Sequence, residues 1–62
     1  MMKATITVRM DNAAFANMPD MELCRILRDL SQRLADCGLP KRGEPWQVLD
    51  FNGNTVGEFK IT

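Results

Sequence analysis

The chain has 62 residues, 8 basic and 8 acidic side chains, no histidine and no tyrosine. That length allows one domain at most, and a domain this size buries only about 60% of the surface its unfolded chain exposes. Zero net charge argues against a protein built around a polyanion, and the missing histidine removes most metal sites and most general bases. A thin core makes self-association an expectation, because a partner surface enlarges it.

No apolar run approaches the ~20 residues that cross a bilayer. Met1 to Met10 alternates where a signal peptide would need an unbroken apolar segment. The expected location is the cytoplasm, with no membrane partner. Cys24 and Cys37 lie thirteen residues apart on one predicted helix, roughly 20 Å at 1.5 Å per residue. A disulfide needs Cα atoms within about 7 Å, so two free thiols are expected, consistent with a reducing compartment.

In chain order, Lys3 to Met10 reads as a half-buried strand. Ala4, Ile6, Val8 and Met10 point one way, and Lys3, Thr5, Thr7 and Arg9 the other. Asp11-Asn12 can turn the chain, and Ala13, Ala14 and Phe15 form a helical turn with Phe15 dipping into the core. A helix then runs from about Pro19 to Cys37. Asn17 and Asp20 are both candidate N-caps. Pro19 is harmless in a first turn, and Asp20 and Glu22 put negative charge at the positive end of the helix dipole.

Leu23, Ile26, Leu27, Leu30 and Leu34 make one apolar stripe that Cys37 continues, while Arg25, Arg28, Asp29, Gln32 and Asp36 lie opposite. Asp29 precedes Arg33 by four residues, the favourable order for an ion pair. Gly38 suits the left-handed position after the helix, Leu39 can pack back on Leu34, and Pro40 forbids continuation.

After a loop from Lys41 to Pro45, Trp46 to Asp50 and Thr55 to Thr62 read as two strands of a hairpin around Asp50-Phe51-Asn52-Gly53. A two-residue turn at Asn52-Gly53 and a type I turn starting at Asp50, with Gly53 in a bulge, are both compatible. Aspartate at the first turn position favours the second. That turn sets Leu49 opposite Thr55. Strict alternation from there puts Gly57, Phe59 and Ile61 on the helix side with Leu49, and Trp46, Val48 and Val56 outside with Glu58 and Lys60.

The expected fold is α+β: a single two-layer β-α-β-β domain over residues 1–62, one amphipathic helix on a three-stranded sheet with a C-terminal hairpin. The first strand can pair with the last or, through a crossover, with the second. Trp46, Val48 and Val56 become candidate interaction residues, because an apolar cluster on an outer sheet face marks a partner surface. Lys3, Arg9 and Lys60 are candidate nucleic-acid contacts on the same face, with one aromatic to stack a base.

No catalytic, cofactor-binding or metal-binding residue is expected. The two cysteines read as packing residues, the acids as turn, helix-start and surface groups, and Asp50 as a turn residue. Gly53 and Gly57 do not open a helix as a phosphate loop would. The leading expectation is a non-enzymatic binding or accessory protein, not an enzyme, that meets an unknown protein partner or itself. A nucleic-acid-binding regulator is the alternative.

Two resemblances bear on this. Trp46-Gln47 at a strand start, in a β-α-β-β order, is similar to the flavin-stacking tryptophan of dodecins, but the likeness is one of layout and a single dipeptide, and no cofactor is expected. More of the chain is engaged by a second likeness. Met10 to Phe15, Glu22-Leu23, Arg25 to Leu30 and Asp50 to Gly57 resemble a group of small uncharacterised proteins of proteobacteria and their phages and plasmids. That resemblance spans nearly the whole chain through a turn, a helix and a hairpin. It implies a bacterial or phage origin and the same layout, and it brings no activity or site residue with it.

Overall fold

The computed structural model describes residues 1–62 as β1 (Ala4–Val8), a 3-10 turn (Ala13–Phe15), α1 (Pro19–Cys37), β2 (Trp46–Leu49) and β3 (Thr55–Ile61). The three strands form one antiparallel sheet in the order β1-β3-β2. The first strand therefore pairs with the last, and α1 packs on one face. No helix is long and apolar enough to cross a membrane.

The helix begins and ends where proline and glycine predict. Pro19 opens it, where its missing N–H has no helical partner to lose. Neither Asn17 nor Asp20 caps it: Met18 holds the N-cap position without a side-chain hydrogen bond. Gly38 takes φ 77°, and its N–H donates to the Leu34 carbonyl (2.9 Å). Pro40 is buried after it, while Leu39 stays exposed.

The core comprises Ala14, Phe15, Ile26, Leu30, Val48, Val56, Phe59 and Ile61, with Val8, Leu34 and Trp46 packed against it. Phe15 reaches it because the Asn12 side chain accepts from the Ala14 N–H (3.0 Å) and starts the 3-10 turn. The buried face of α1 is rotated from the leucine stripe. Glu22, Ile26 and Leu30 are buried, Leu23 and Leu34 half-buried, and Leu27 and Cys37 exposed. Cys37 is therefore not a core residue.

The hairpin uses the type I turn. The Asp50 carbonyl accepts from the Gly53 N–H (3.0 Å), the Asp50 N–H donates to the Asn54 carbonyl (2.9 Å), and Gly53 takes φ 87°. Leu49 pairs with Thr55 as expected, but the next pair is Val48 with Gly57. Val56 is an extra residue between them, a β-bulge. In such a bulge the two opposed residues of the longer strand face the same way, and Val56 and Gly57 are both buried.

That one residue reverses the reading of β2. Val48, not Leu49, shares the inner face with Gly57, Phe59 and Ile61. Val48 and Val56 are each 3% exposed, and Leu49 turns outward. Gly57 sits where the bulge presses β3 onto β1: a Cβ there would lie 1.7 Å from the Thr7 carbonyl oxygen. Only glycine fits.

Candidate functional site

The expected outer patch of Trp46, Val48 and Val56 does not exist. Val48 and Val56 are core, and Trp46 is half-buried on the inner face. Its ring meets Phe59 edge-on at 5.6 Å, and the Arg33 guanidinium lies 4.1 Å from its centroid. The indole thus packs on the protein's own side chains, with Arg33 over one of its faces. Arg33 does not pair with Asp29. Asp29 instead accepts from Arg25 (2.6 Å).

Lys3, Arg9 and Lys60 do fall on the side of the sheet away from α1. Lys60 pairs with Glu58 (3.6 Å), and Arg9 donates to the Thr55 carbonyl (3.0 Å). With Trp46 inside, no aromatic stands beside them.

The most elaborate polar construction lies elsewhere, where the hairpin turn meets the start of α1. Glu22 is on the buried arc of the helix, one turn before Ile26. Its Oε1 accepts from Arg25 Nε (2.7 Å), and its Oε2 accepts from Arg25 Nη2 (3.0 Å) and from the Phe51 N–H (2.9 Å). Arg25 also donates to the Leu49 carbonyl (3.1 Å).

Asp50 is the second buried carboxylate. Its Oδ1 accepts from the N–H groups of Asn52 and Asn54, both at 2.9 Å. Its Oδ2 accepts from the side-chain amides of Asn12 (2.7 Å) and Asn54 (3.3 Å). Every buried side-chain polar atom has a partner.

These contacts shift ionisation in stated directions. The Arg25 hydrogen bonds hold the Glu22 carboxyl below its ordinary value, overcoming burial, with help from the Phe51 N–H. Arg25 is raised in return, chiefly by Glu22. Burial pushes Asp50 up, but the hydrogen bonds from Asn54, Asn12 and Asn52 outweigh it and hold the carboxyl low. Both acids are charged at neutral pH and fully engaged, which suits scaffolding rather than proton transfer. No three His, Cys, Asp or Glu side chains converge as a metal site needs.

What the network presents is Phe51. Its backbone is tied to Glu22 on α1 and its turn is locked by Asp50, yet its side chain leaves the residue 62% exposed. Met18, Met21 and Leu49 around it are also exposed. Shallow grooves of ≈ 450 and ≈ 390 Å³ flank the ring, one toward Arg25 and Leu49, the other toward Met18 and Met21.

Sequence reasoning assigned Glu22 to the helix dipole and did not single out Arg25 or Phe51. A signal was present: Glu22, Ile26 and Leu30 fall on one i, i+4 row, which places the acid on the buried side. Comparison with models of protein families, with curated proteins and with solved structures returns no match. The reading of this site therefore rests on its geometry.

Proposed function

We propose that this chain is a non-enzymatic binding or accessory protein and that Phe51 is its contact residue. The observation behind the reading is a large apolar side chain held exposed by a rigid, buried polar network. Exposed aromatics flanked by methionines are the usual anchors of protein contacts, and fixing the ring beforehand lowers the entropy lost on binding. The partner would supply apolar side chains to the grooves on either side of the ring. Two exposed thiols and the bacterial and phage resemblance support a cytoplasmic setting in a bacterium or an infected cell. The saturated carboxylates weigh against acid-base catalysis. The nucleic-acid alternative is the weaker reading, because two of its three cations, Arg9 and Lys60, are engaged and its face carries no aromatic.

The test is affinity capture from a bacterial host extract with the native chain and with Phe51→Ala. Phe51 is solvent-facing, so the variant should melt within a few degrees of the native chain. Loss of specific partners from the variant supports the reading. Recovery of the same partners in the same amounts by both chains refutes it.

A further inference from the structure

β1 is an open edge of the sheet. Lys3 and Thr62 exchange two backbone hydrogen bonds of 2.8 Å each, and the Arg9 N–H donates to the Val56 carbonyl. The ladder alternates, so the odd-numbered residues of β1 bond to β3. Ala4, Ile6 and Val8 turn their N–H and C=O groups away from the sheet. Such a row is a template for another strand.

The helix side of this edge is apolar and incompletely covered. Arg25 and Arg33 put their flank of α1 over β2, through the Leu49 carbonyl and the Trp46 ring. Leu23, Leu27 and Leu34 occupy the opposite flank, on the β1 side. There Ile6 is 45% and Leu27 46% exposed.

We propose that a second copy of this chain covers this edge. Antiparallel pairing of β1 with its symmetry mate, centred on Ile6, sets Ile6 opposite Ile6 and Ala4 opposite Val8. Every free group of the edge is then used, as a two-fold axis requires. The sheet continues as β2-β3-β1-β1-β3-β2, and the two helices run antiparallel on one face.

The levels match. Ile6 pairs with Phe59, Phe59 with Trp46, and Trp46 carries Arg33. The axis therefore passes within about a turn of Ser31, and Leu27 meets the second copy's Leu34 across that small residue. The charges match as well. Asp20, at the helix start, comes to the second copy's Lys41, just past its helix end, and neither is paired within the protomer. On the outer face Lys3 approaches the second copy's Arg9, an unfavourable contact relieved by the turn of Arg9 toward Thr55. The contact covers on the order of 600 Å² per protomer, the lower end for specific interfaces. Interfaces of that size are commonly transient, and area alone does not set their affinity. This interface lies across the sheet from Phe51, and the two proposals stand or fall separately.

Sedimentation equilibrium from 10 μM to 1 mM, with amide exchange by NMR, tests it. The weight-average mass should rise across the series toward twice that of the monomer, and the Ile6 and Val8 amides should exchange at least tenfold more slowly at the high end. Leu27→Lys should raise the dissociation constant at least tenfold. Asp20→Lys should weaken the dimer several-fold, and Asp20→Lys with Lys41→Asp should restore it. A monomer at 1 mM overturns the proposal. So does a dimer that is indifferent to Leu27→Lys and leaves the Ile6 and Val8 amides unprotected. Should Leu27→Lys lose its circular dichroism signal, the charge swap decides: restoration supports the interface and its absence overturns it.

Discussion

Replacing Gly57 by alanine puts a methyl group 1.7 Å from the Thr7 carbonyl oxygen, 2.7 Å from its carbon and 3.1 Å from the Val8 Cα. All three are backbone atoms of β1, so no rotamer change relieves the overlap. An ordinary contact needs roughly 1.5 Å more room, against an interstrand spacing of about 4.8 Å. Displacing β1 that far breaks its bonds to β3 around the bulge, including the 2.7 Å bond from the Arg9 N–H to the Val56 carbonyl.

Overpacking costs about 1–3 kcal/mol, and each lost backbone hydrogen bond about 1 kcal/mol more. The expected total is about 3–5 kcal/mol, against the roughly 3–9 kcal/mol by which a domain of this size is stable. Urea unfolding followed by Trp46 fluorescence and circular dichroism should show at least a third of the stability gone or no folded baseline. Gly53→Ala is the control. Its Cβ meets nothing within 4 Å, and only its φ of 87° is strained, so its cost should be about 1 kcal/mol. A loss under about 1 kcal/mol for Gly57→Ala would refute the close approach of β1 and β3 and, with it, the inward face assigned to Val56.

Trp46→Ala should act on stability, because the ring packs on Phe59 and under Arg33. A loss of about 2–3 kcal/mol in chemical unfolding is expected for a half-buried indole, and a change under 0.5 kcal/mol would return Trp46 to the surface. Glu22 and Asp50 have lowered folded-state pKa values, so their contribution is complete above the unfolded carboxyl range, about pH 4–4.5. It is lost as pH falls through the lower folded values. The thermal midpoint should hold from pH 7 to 5 and drop below about pH 4, with a shallower drop in Glu22→Gln, and equal slopes in both chains would count against the network. Cys24 and Cys37 are both exposed, so iodoacetamide should label both in the folded protein, and protection of either thiol would contradict its placement.

The helix, the turn and the pairing of Leu49 with Thr55 were legible because each has a residue-type signature. Those signatures are an apolar period closed by Pro19 and Gly38, aspartate at a turn start, and glycine at positive φ. The facing of β2 was not legible. Alternation propagates one binary choice along a strand, so the extra residue at Val56 inverted the facing of all of β2 while Gly57, Phe59 and Ile61 kept theirs, and a bulge at a valine leaves no mark in composition. Glu22 was overlooked for a different reason. Its charge suggested solvent, although its place on the row with Ile26 and Leu30 pointed inward. The site was hidden with it, because Phe51 stands out from other exposed residues only through its backbone bond to a buried acid 29 residues away.

The strand order also bears on biosynthesis. β3 lies between β1 and β2, yet it is translated after both of them and after α1. Until it leaves the ribosome, β1 has no neighbour and α1 no sheet to cover, and a helix of 19 residues is marginal in water by itself. Folding must therefore wait for Thr55–Ile61, and a nascent chain stalled before that strand should remain a protease-sensitive coil.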